Sequence, residues 1–383
     1  MKQKVWTGIP IAVWILQITA ELFAVYSILK LNMLPMNWMA AVLFLALFVF
    51  AALTAALVFL PKQSSRRVTP RQIIAIILAL AITCGCTAAS SALSRLSKTV
   101  STITNGANQV EMPEVTPNIT NTPILIYLSG SDTRDQMLTT SRSDVNILAV
   151  VNPNTKQILL INTPRDYYIG NPAGGGAKDK LTHCGIYGID CSMEALAGLY
   201  QEEIDYYAQI NFTGFKTLID AIGGVTVYSD TAFKAINTEI HVGNNDLDGA
   251  GALDFARERH ALSGGDNDRG KHQMGVIRAV VQKLSAGTIL THYAEIMDSL
   301  AGMFITDMSS GDVSSLVRMQ LSDLAKWDVF TYAVTGTGGR AETYSMPGWS
   351  LYVMYPNEET VAHATELIDK MVDGETLTEN DIG

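Results

Sequence analysis

Three arginines fall close together in the second half of the chain. Arg257 and Arg259 end the stretch Phe255-Ala256-Arg257-Glu258-Arg259, and a short Gly-rich loop separates them from Asp266 and Arg269. A planar guanidinium fork matches phosphate oxygens, so this clustering suits a phosphate-bearing ligand. A solvated, charged helix face is the alternative. Downstream, Ile277, Val280 and Leu284 recur at helical spacing, and the same stripe followed backward meets Gln273 and Arg269. A guanidinium on the core-facing side of a helix is costly without an anion, which places Arg269 in a cleft at the N-terminal end of that helix. Free backbone N–H groups there favour phosphate as well. A cap formed by Arg269 with Asp266, three residues earlier, accounts for the spacing equally well. Arg165, in Thr163-Pro164-Arg165-Asp166, follows an apolar strand, and strand exits of layered sheets are where ligands gather.

Asp132 follows the first strand of this region and Asp144 precedes the second, so neighbouring strands would bring both carboxylates to one sheet edge. Two carboxylates beside bound phosphates suit magnesium, and turn capping explains each aspartate just as simply. Walker loops, nucleophile elbows and HExxH helices are absent, and the Gly-rich stretch Gly170 to Lys180 fits no phosphate-loop spacing, so it is expected to be a plain loop. Cys184 and Cys191 are spaced to close a short structural disulfide; a metal pair would need further Cys or His, and none joins them.

The elements that must position these groups alternate between helix and strand. Pro123–Leu128, Val145–Val151 and Gln157–Asn162 read as strands, the last two joined by the turn Asn152-Pro153-Asn154-Thr155. Both hairpin strands are apolar on both faces, as central strands covered by helices are. Tyr206–Asn211 reads as strand, Phe212–Ile222 as a helix stopped by Gly223-Gly224, and Val225–Tyr228 as strand again. Gly249–Arg257 and Arg269–Leu284 read as helices, Val329–Val334 and Leu351–Tyr355 as strands, and Asn357–Val372 as a closing helix. The fold expected is an α/β domain, layered αβα about a central mixed sheet, over residues 123–383. Residues 98–122, rich in Thr, Asn and Pro without apolar periodicity, read as a solvated extracellular linker.

Residues 1–97 differ in kind. Apolar stretches at Ile9–Leu31, Trp38–Leu60 and Gln72 to about Leu93 are each long enough to cross a ~30 Å hydrocarbon core, which predicts a three-span anchor. Lys2, Lys4, Lys62, Arg66, Arg67 and Arg71 lie in the N-terminus and the second loop, while Asn32–Asn37 carries no charge. The positive-inside bias then holds the N-terminus in the cytoplasm and puts everything after the third span outside the cell. Glu21 within the first span is either a functional carboxyl or a helix-packing one. Cys84 and Cys86, in the third, are assigned no role. Beyond residue 97 the chain holds 19 basic and 36 acidic residues. Such a field disfavours nucleic acid, and any anion handled here must meet a locally concentrated basic site.

At these residues the chain resembles the LytR-CpsA-Psr family over nearly all of 123–300. The matching blocks are Ser129-Gly130-Ser131-Asp132, Arg142-Ser143-Asp144, INTPRDYYI (161–169), DKLTH (179–183), the segment 204–227, LDGAGALDFARER (247–259) and DNDRGKHQ (266–273). Three spans before the domain look like the capsule-type branch, whose relatives often carry an accessory domain where this chain has only a short linker. The resemblance implies transfer of a glycopolymer phosphate from an undecaprenyl pyrophosphate carrier in the membrane lipid to a peptidoglycan hydroxyl, assisted by Mg2+ or Mn2+, with capsule-synthesis proteins as candidate partners. Carried over by motif, Asp132 and Asp144 would ligate the metal, and Arg142, Arg165, Arg257, Arg259, Arg269 and Gln273 would hold the pyrophosphate. Asp166 and Asp266 would orient the arginines or move a proton, and an apolar cavity would take the prenyl tail. Lys271 and His272 depart from relatives, on a side of the helix expected to face away from Arg269 and Gln273. A prenyl pyrophosphate phosphatase and a non-catalytic glycan-binding regulator would use the same constellation.

Overall fold

The computed structural model describes residues 5–31, 34–58, 70–104, 118–131, 140–259, 261, 265–285, 296 and 302–383. They divide into two compact units, Met1–Lys98 with Val317–Ser322, and Thr99–Leu316 with Asp323–Gly383.

Helices α1 (Val5–Leu31), α2 (Met36–Val58) and α3 (Pro70–Thr104) coincide with the three apolar stretches. Among the described residues, Ala12–Lys30 in α1 and Ile76–Thr102 in α3 are long and apolar enough to cross a membrane, whereas the apolar run described in α2, Met36–Ala52, is shorter. Trp14 Nε1 donates to Thr54 Oγ1 at 2.9 Å and ties α1 to α2. The buried Glu21 accepts from Gln17 Nε2 at 2.9 Å, one turn earlier on the same helix, so the carboxyl is satisfied within α1. The basic loop before Pro70 lies outside the described residues. The expected linker needs one correction: its first residues are helical, because α3 continues to Thr104, whose hydroxyl bonds back to the Val100 carbonyl. Nothing in the sequence breaks the helix before Asn105-Gly106.

The second unit is built on a six-stranded mixed sheet. Strands β1 (Ile124–Ser131), β2 (Ser143–Asn152), β3 (Gln157–Asn162), β6 (Tyr206–Asn211), β11 (Phe304–Thr306) and β12 (Asp328–Ala333) run in the order β11-β6-β1-β2-β3-β12. Side chains alternate across β2. Leu148 and Val150 join Leu159 and Ile161 against Leu196 and Tyr200 of α5 (Ile189–Tyr200) and against Leu367, Ile368 and Met371 of α9 (Glu358–Val372). Ile147 and Ala149, with Leu160, face Met274, Ile277 and Val281 of α8 (Asp266–Lys283). This two-sided covering is why β2 and β3 lack a polar face.

Pairing is antiparallel for β1/β2, β2/β3 and β6/β11, and parallel for β1/β6 and β3/β12. The exits of β1, β3, β6 and β12 therefore share one sheet edge with the entrances of β2 and β11. Helix α6 (Phe212–Ala221), capped by Asn211, leaves from that edge and stops at Gly223 and Gly224, whose φ of +75° and +78° other residues resist. Strand β7 (Val225–Ser229) follows and pairs with β10 (Gly243–Leu247), with the small hairpin β8 (Phe233–Ala235) and β9 (Thr238–Ile240) between them; α7 (Gly249–Arg257) then begins at Asp248, whose side chain accepts the Gly251 N–H.

Three expectations change. Gly170 to Lys180 is not a plain loop: β4 (Tyr168–Asn171) and β5 (Ala177–Lys180) pair across it, with the glycines supplying the positive-φ turn at Gly175 and Gly176. Leu351–Tyr355 is the inner part of a longer hairpin, β13 (Gly336–Thr343) with β14 (Met346–Pro356). Cys184, which ends the short α4 (Leu181–Cys184), and Cys191 in α5 form no disulfide. Both are buried free thiols, and Cys191 Sγ turns to Asn171 Oδ1 at 3.3 Å; burial, and then the neighbouring Cys191, push the Cys184 thiol up.

Candidate active site

A cavity of about 550 Å³ opens among β1, β6, α6, α7 and α8. Along α8 its lining passes from Arg269 and Gln273 to Val276, Ile277 and Val280, and the apolar part continues through Leu128, Ala208, Ile210, Phe215, Leu218 and Leu253. Asp144, Arg165, Arg257 and Arg259 join Arg269 and Gln273 as its charged and polar wall, with Glu258 among them.

Each of these groups is placed by an identifiable local cause. In the β2/β3 register Ile147 faces Asn162, so continuing it outward sets Asp144 opposite Arg165, and their side chains meet at 2.6 Å between Nη1 and Oδ1. Asp166 lies behind Arg165 and outside the cavity lining. Its carboxylate is bracketed by Lys180 Nζ at 2.9 Å and Arg165 Nε at 3.7 Å. Lys180 in turn follows Asp179, whose fully buried carboxylate accepts from His183 Nδ1 at 2.6 Å, the Lys180 N–H at 2.8 Å, Asn171 and Ser345. Burial works against that charge, yet the bonds from His183, Ser345, Lys180 and Asn171 outweigh it and hold the carboxyl down at about 2.

Arg269 is buried in the first turn of α8, and Gln273 Nε2 donates to the Ala256 carbonyl at 3.3 Å, locking α8 to the end of α7. Gly270 permits the approach on the other side: a Cβ there would fall 2.2 Å from Asn162 Nδ2 at the exit of β3. Arg257 leaves α7 with its guanidinium 4.4 Å from the Phe212 ring centroid, a cation–π contact. Glu258 is buried and accepts from the backbone N–H groups of Arg259, Ala261 and Ile236, which fixes the segment holding both arginines.

The structure thus brings together Asp144, Arg165, Arg257, Arg259, Arg269 and Gln273 from four separate stretches of sequence. Arg142 is not among them: it is exposed before β2 and does not line the cavity. Asp132 lies outside the described residues, as does the side chain of Asp266, which opens α8. Lys271 is exposed, while His272, also off the cavity, stacks 4.1 Å from Phe255 and 5.3 Å from Phe233. Among the described residues no three His, Cys, Asp or Glu side chains gather as a metal cluster. Sequence reasoning gave no role to Glu258 or Lys180, although both sit inside the blocks that carry the resemblance, which is the signal that could have found them.

The structure is thus an αβα domain in which four arginines stand around one end of a cavity whose remaining wall is mostly apolar. Residues 90–360 match the model of the LytR_cpsA_psr family, and the chain belongs to that family. It is 33% identical over 196 residues to the polyisoprenyl-teichoic acid--peptidoglycan teichoic acid transferase TagU of Enterococcus faecalis, a match covering 51% of this chain and 64% of that protein. It is also 33% identical over 220 residues to the protein of the same name from Oceanobacillus iheyensis, covering 56% of this chain and 67% of that one. The chain therefore spans about two thirds of the length of these relatives. Among solved structures, the Lin1025 protein from Listeria innocua superposes with a TM-score of 0.54 at 28% identity, over 66% of this chain and 99% of that one.

Proposed function

We propose that this chain is an extracytoplasmic phosphotransferase that moves a glycopolymer from a polyprenyl pyrophosphate carrier to peptidoglycan. The observation that carries this reading is the composition of the cavity wall, where four arginines meet an apolar interior of about 550 Å³. The activity for which the TagU relatives are named, teichoic acid transfer from a polyisoprenyl carrier to peptidoglycan, supports the same class of acceptor and donor. The sugar hydroxyl oxygen attacks the glycan-side phosphorus, forming a phosphodiester, while the bridging P–O bond breaks, the hydroxyl proton is released and the prenyl phosphate leaves. Such a step needs positioning and neutralisation of charge rather than a covalent nucleophile. Arg165, Arg257, Arg259 and Arg269 supply the positive charge, and Gln273 a neutral donor. Two cations already hold the Asp166 carboxylate, so its role in this reading is to orient Arg165.

A divalent cation fits the residues present. Asp144 turns a hard carboxylate toward the cavity beside the arginines, and Mg2+ takes one or two carboxylates with water and substrate phosphate rather than a full protein cage. In this reading Asp144, with Asp132 as the motif implies, would hold Mg2+ or Mn2+, which would neutralise the pyrophosphate when bound. The anchor is read as three-pass with the catalytic unit outside the cell; the 23 residues of α2 contain no charged side chain, and at 1.5 Å per residue they reach ~34 Å. The test is made in cells: Arg165→Ala and Arg269→Ala should each abolish wall-attached polymer while the protein stays in the membrane fraction. Normal attachment in both variants would overturn the assignment.

A further inference from the structure

Asp144 reaches the cavity through an irregularity in its own strand. Gly130 of β1 pairs with Val145, but the next residue, Ser131, pairs with Ser143, so Asp144 is one extra residue in β2, a β-bulge. Side chains of a regular strand alternate between its two faces. Val145 packs with Ile147 on the α8 face, while Leu148 belongs to the α5 face together with Tyr127, its partner in β1. Unbroken alternation from Leu148 through Asn146 would send Asp144 to the α5 face, away from the cavity, and Ser143 to the α8 face. The bulge exchanges them. Asp144 lines the cavity beside Val145 and meets Arg165, while Ser143 turns inward to Tyr127 and Ser129.

Buried hydroxyls hold Ser143 in the exchanged position. Its Oγ donates to the Val145 carbonyl at 2.7 Å, a bond that spans the extra residue. The same oxygen meets Ser129 Oγ at 2.9 Å and the Tyr127 hydroxyl at 3.2 Å. Tyr127 also donates to Asn146 Oδ1 at 2.7 Å, and Asn146 Nδ2 reaches back to the Ser143 carbonyl at 3.4 Å. Tyr127, Ser129, Ser143 and Asn146 are all buried, so returning Ser143 to the other face would leave polar groups without partners and without water. On the cavity side, Gly130 leaves the room that two consecutive side chains need: a Cβ there would fall 2.7 Å from Val145 Cγ2. The hydroxyls lie on the α5 face and the ion pair with Arg165 at the cavity, so the two can be separated by mutation.

We propose that Ser143, Tyr127 and Ser129 are positioning residues, whose hydroxyls hold the bulge that turns Asp144 into the cavity. Their effect on transfer rests on the transferase reading; the direction taken by residue 144 does not. A cysteine at that position reports the direction in the absence of the ion pair. The experiment uses the full chain in detergent micelles with Cys84→Ala and Cys86→Ala, since Cys184 and Cys191 are buried. Asp144→Cys should react rapidly with an anionic methanethiosulfonate reagent, which the cavity arginines attract. Adding Ser143→Ala should slow the labelling about ten-fold or more, Tyr127→Phe should slow it in the same direction, and Ser143→Thr, which keeps the hydroxyl, should restore it. Asn152→Ala removes a buried side chain bonded to the Met371 carbonyl at the far end of β2, and should leave the rate unchanged. Slow labelling of Asp144→Cys itself would mean that the ion pair aims the residue. Equal rates with and without Ser143→Ala, or equal slowing by Asn152→Ala, would mean that the hydroxyls only stabilise the fold. Each of these results would overturn the proposal. With Asp144 in place, transfer should fall in Ser143→Ala and return in Ser143→Thr. Absence of transfer by the wild type would count against the transferase reading alone, since the labelling rates still decide the bulge.

Discussion

Arg165 and Asp144 face each other at 2.6 Å across the open end of the β2/β3 hairpin, so the first arginine of the cavity wall and the Asp144 carboxylate are one ion pair. In the proposed reaction a bound divalent ion and Arg165 would compete for that carboxylate, and the guanidinium would turn from it toward phosphate. The two residues would then act as a unit. Arg165→Ala and Asp144→Ala are each expected to lower transfer by about 100-fold or more, and the double variant should be scarcely worse than the poorer single one. Arg165→Lys should not restore activity, because an ammonium lacks the planar fork. Steady-state rates of the four proteins measure the coupling, and strictly multiplicative losses would show two independent roles.

Two glycines in α8 make a matched pair. A Cβ at Gly270 would collide with Asn162, whereas one at Gly275 would meet nothing within 4 Å. Gly270→Ala should displace the first turn of α8, lowering both the melting temperature and the activity that depends on Arg269. Gly275→Ala should leave activity intact and stabilise the helix by about 0.5–1 kcal/mol. Thermal denaturation followed by circular dichroism separates them, and equal behaviour would mean that α8 is not pressed against β3.

Two carboxylates, the buried Asp179 and the half-buried Asp307, shift in opposite directions. Asp179 is held down at about 2, so its stabilisation is present above the ordinary carboxylate range and is lost as pH falls from 3.8 through 2. The stability gap between wild type and Asp179→Asn should be constant near neutrality and close in acid. Asp307 is pushed up to about 6, first by burial and then against bonds from backbone N–H groups including Tyr207. The folded chain binds the extra proton, so stability falls as pH rises between 3.8 and 6, and Asp307→Asn should remove that slope. Denaturant titrations across pH 2 to 8 read both effects; parallel curves for wild type and Asp307→Asn would contradict the second.

Cys184 and Cys191 are expected to resist alkylation in the folded protein at pH 8, because both thiols are buried and the Cys184 thiol is pushed up. Unfolding without reductant should expose both to the reagent, as a mass increase on each cysteine. No increase on either would mean that a disulfide joins them.

Local periodicity made much of this molecule legible. Gly249–Arg257 is α7 as expected, and the stripe from Arg269 to Val280 does turn one face of α8 to the cavity, because each depends on neighbours three and four residues away. Residues whose partners are distant in sequence were not legible. Asp179 became a hub through Ser345, 166 positions later, and Gly170 to Lys180 became a hairpin because β5 also meets β13 and Tyr344. The glycines of β13 predict no strand at all; the strand exists because the rings of β14 lie against it. Arg142, carried over by motif, is exposed before β2 and off the cavity lining, because a motif does not say which way a side chain leaves the start of a strand.

Purified full-length protein in lipid nanodiscs, given a radiolabelled glycan on polyprenyl pyrophosphate with and without peptidoglycan, tests transfer itself. Label should enter insoluble peptidoglycan only with the wild-type protein, with Arg269→Ala at background and little phosphate released when acceptor is omitted. Equal cleavage of the pyrophosphate with and without peptidoglycan, or full labelling by Arg269→Ala, would contradict the account.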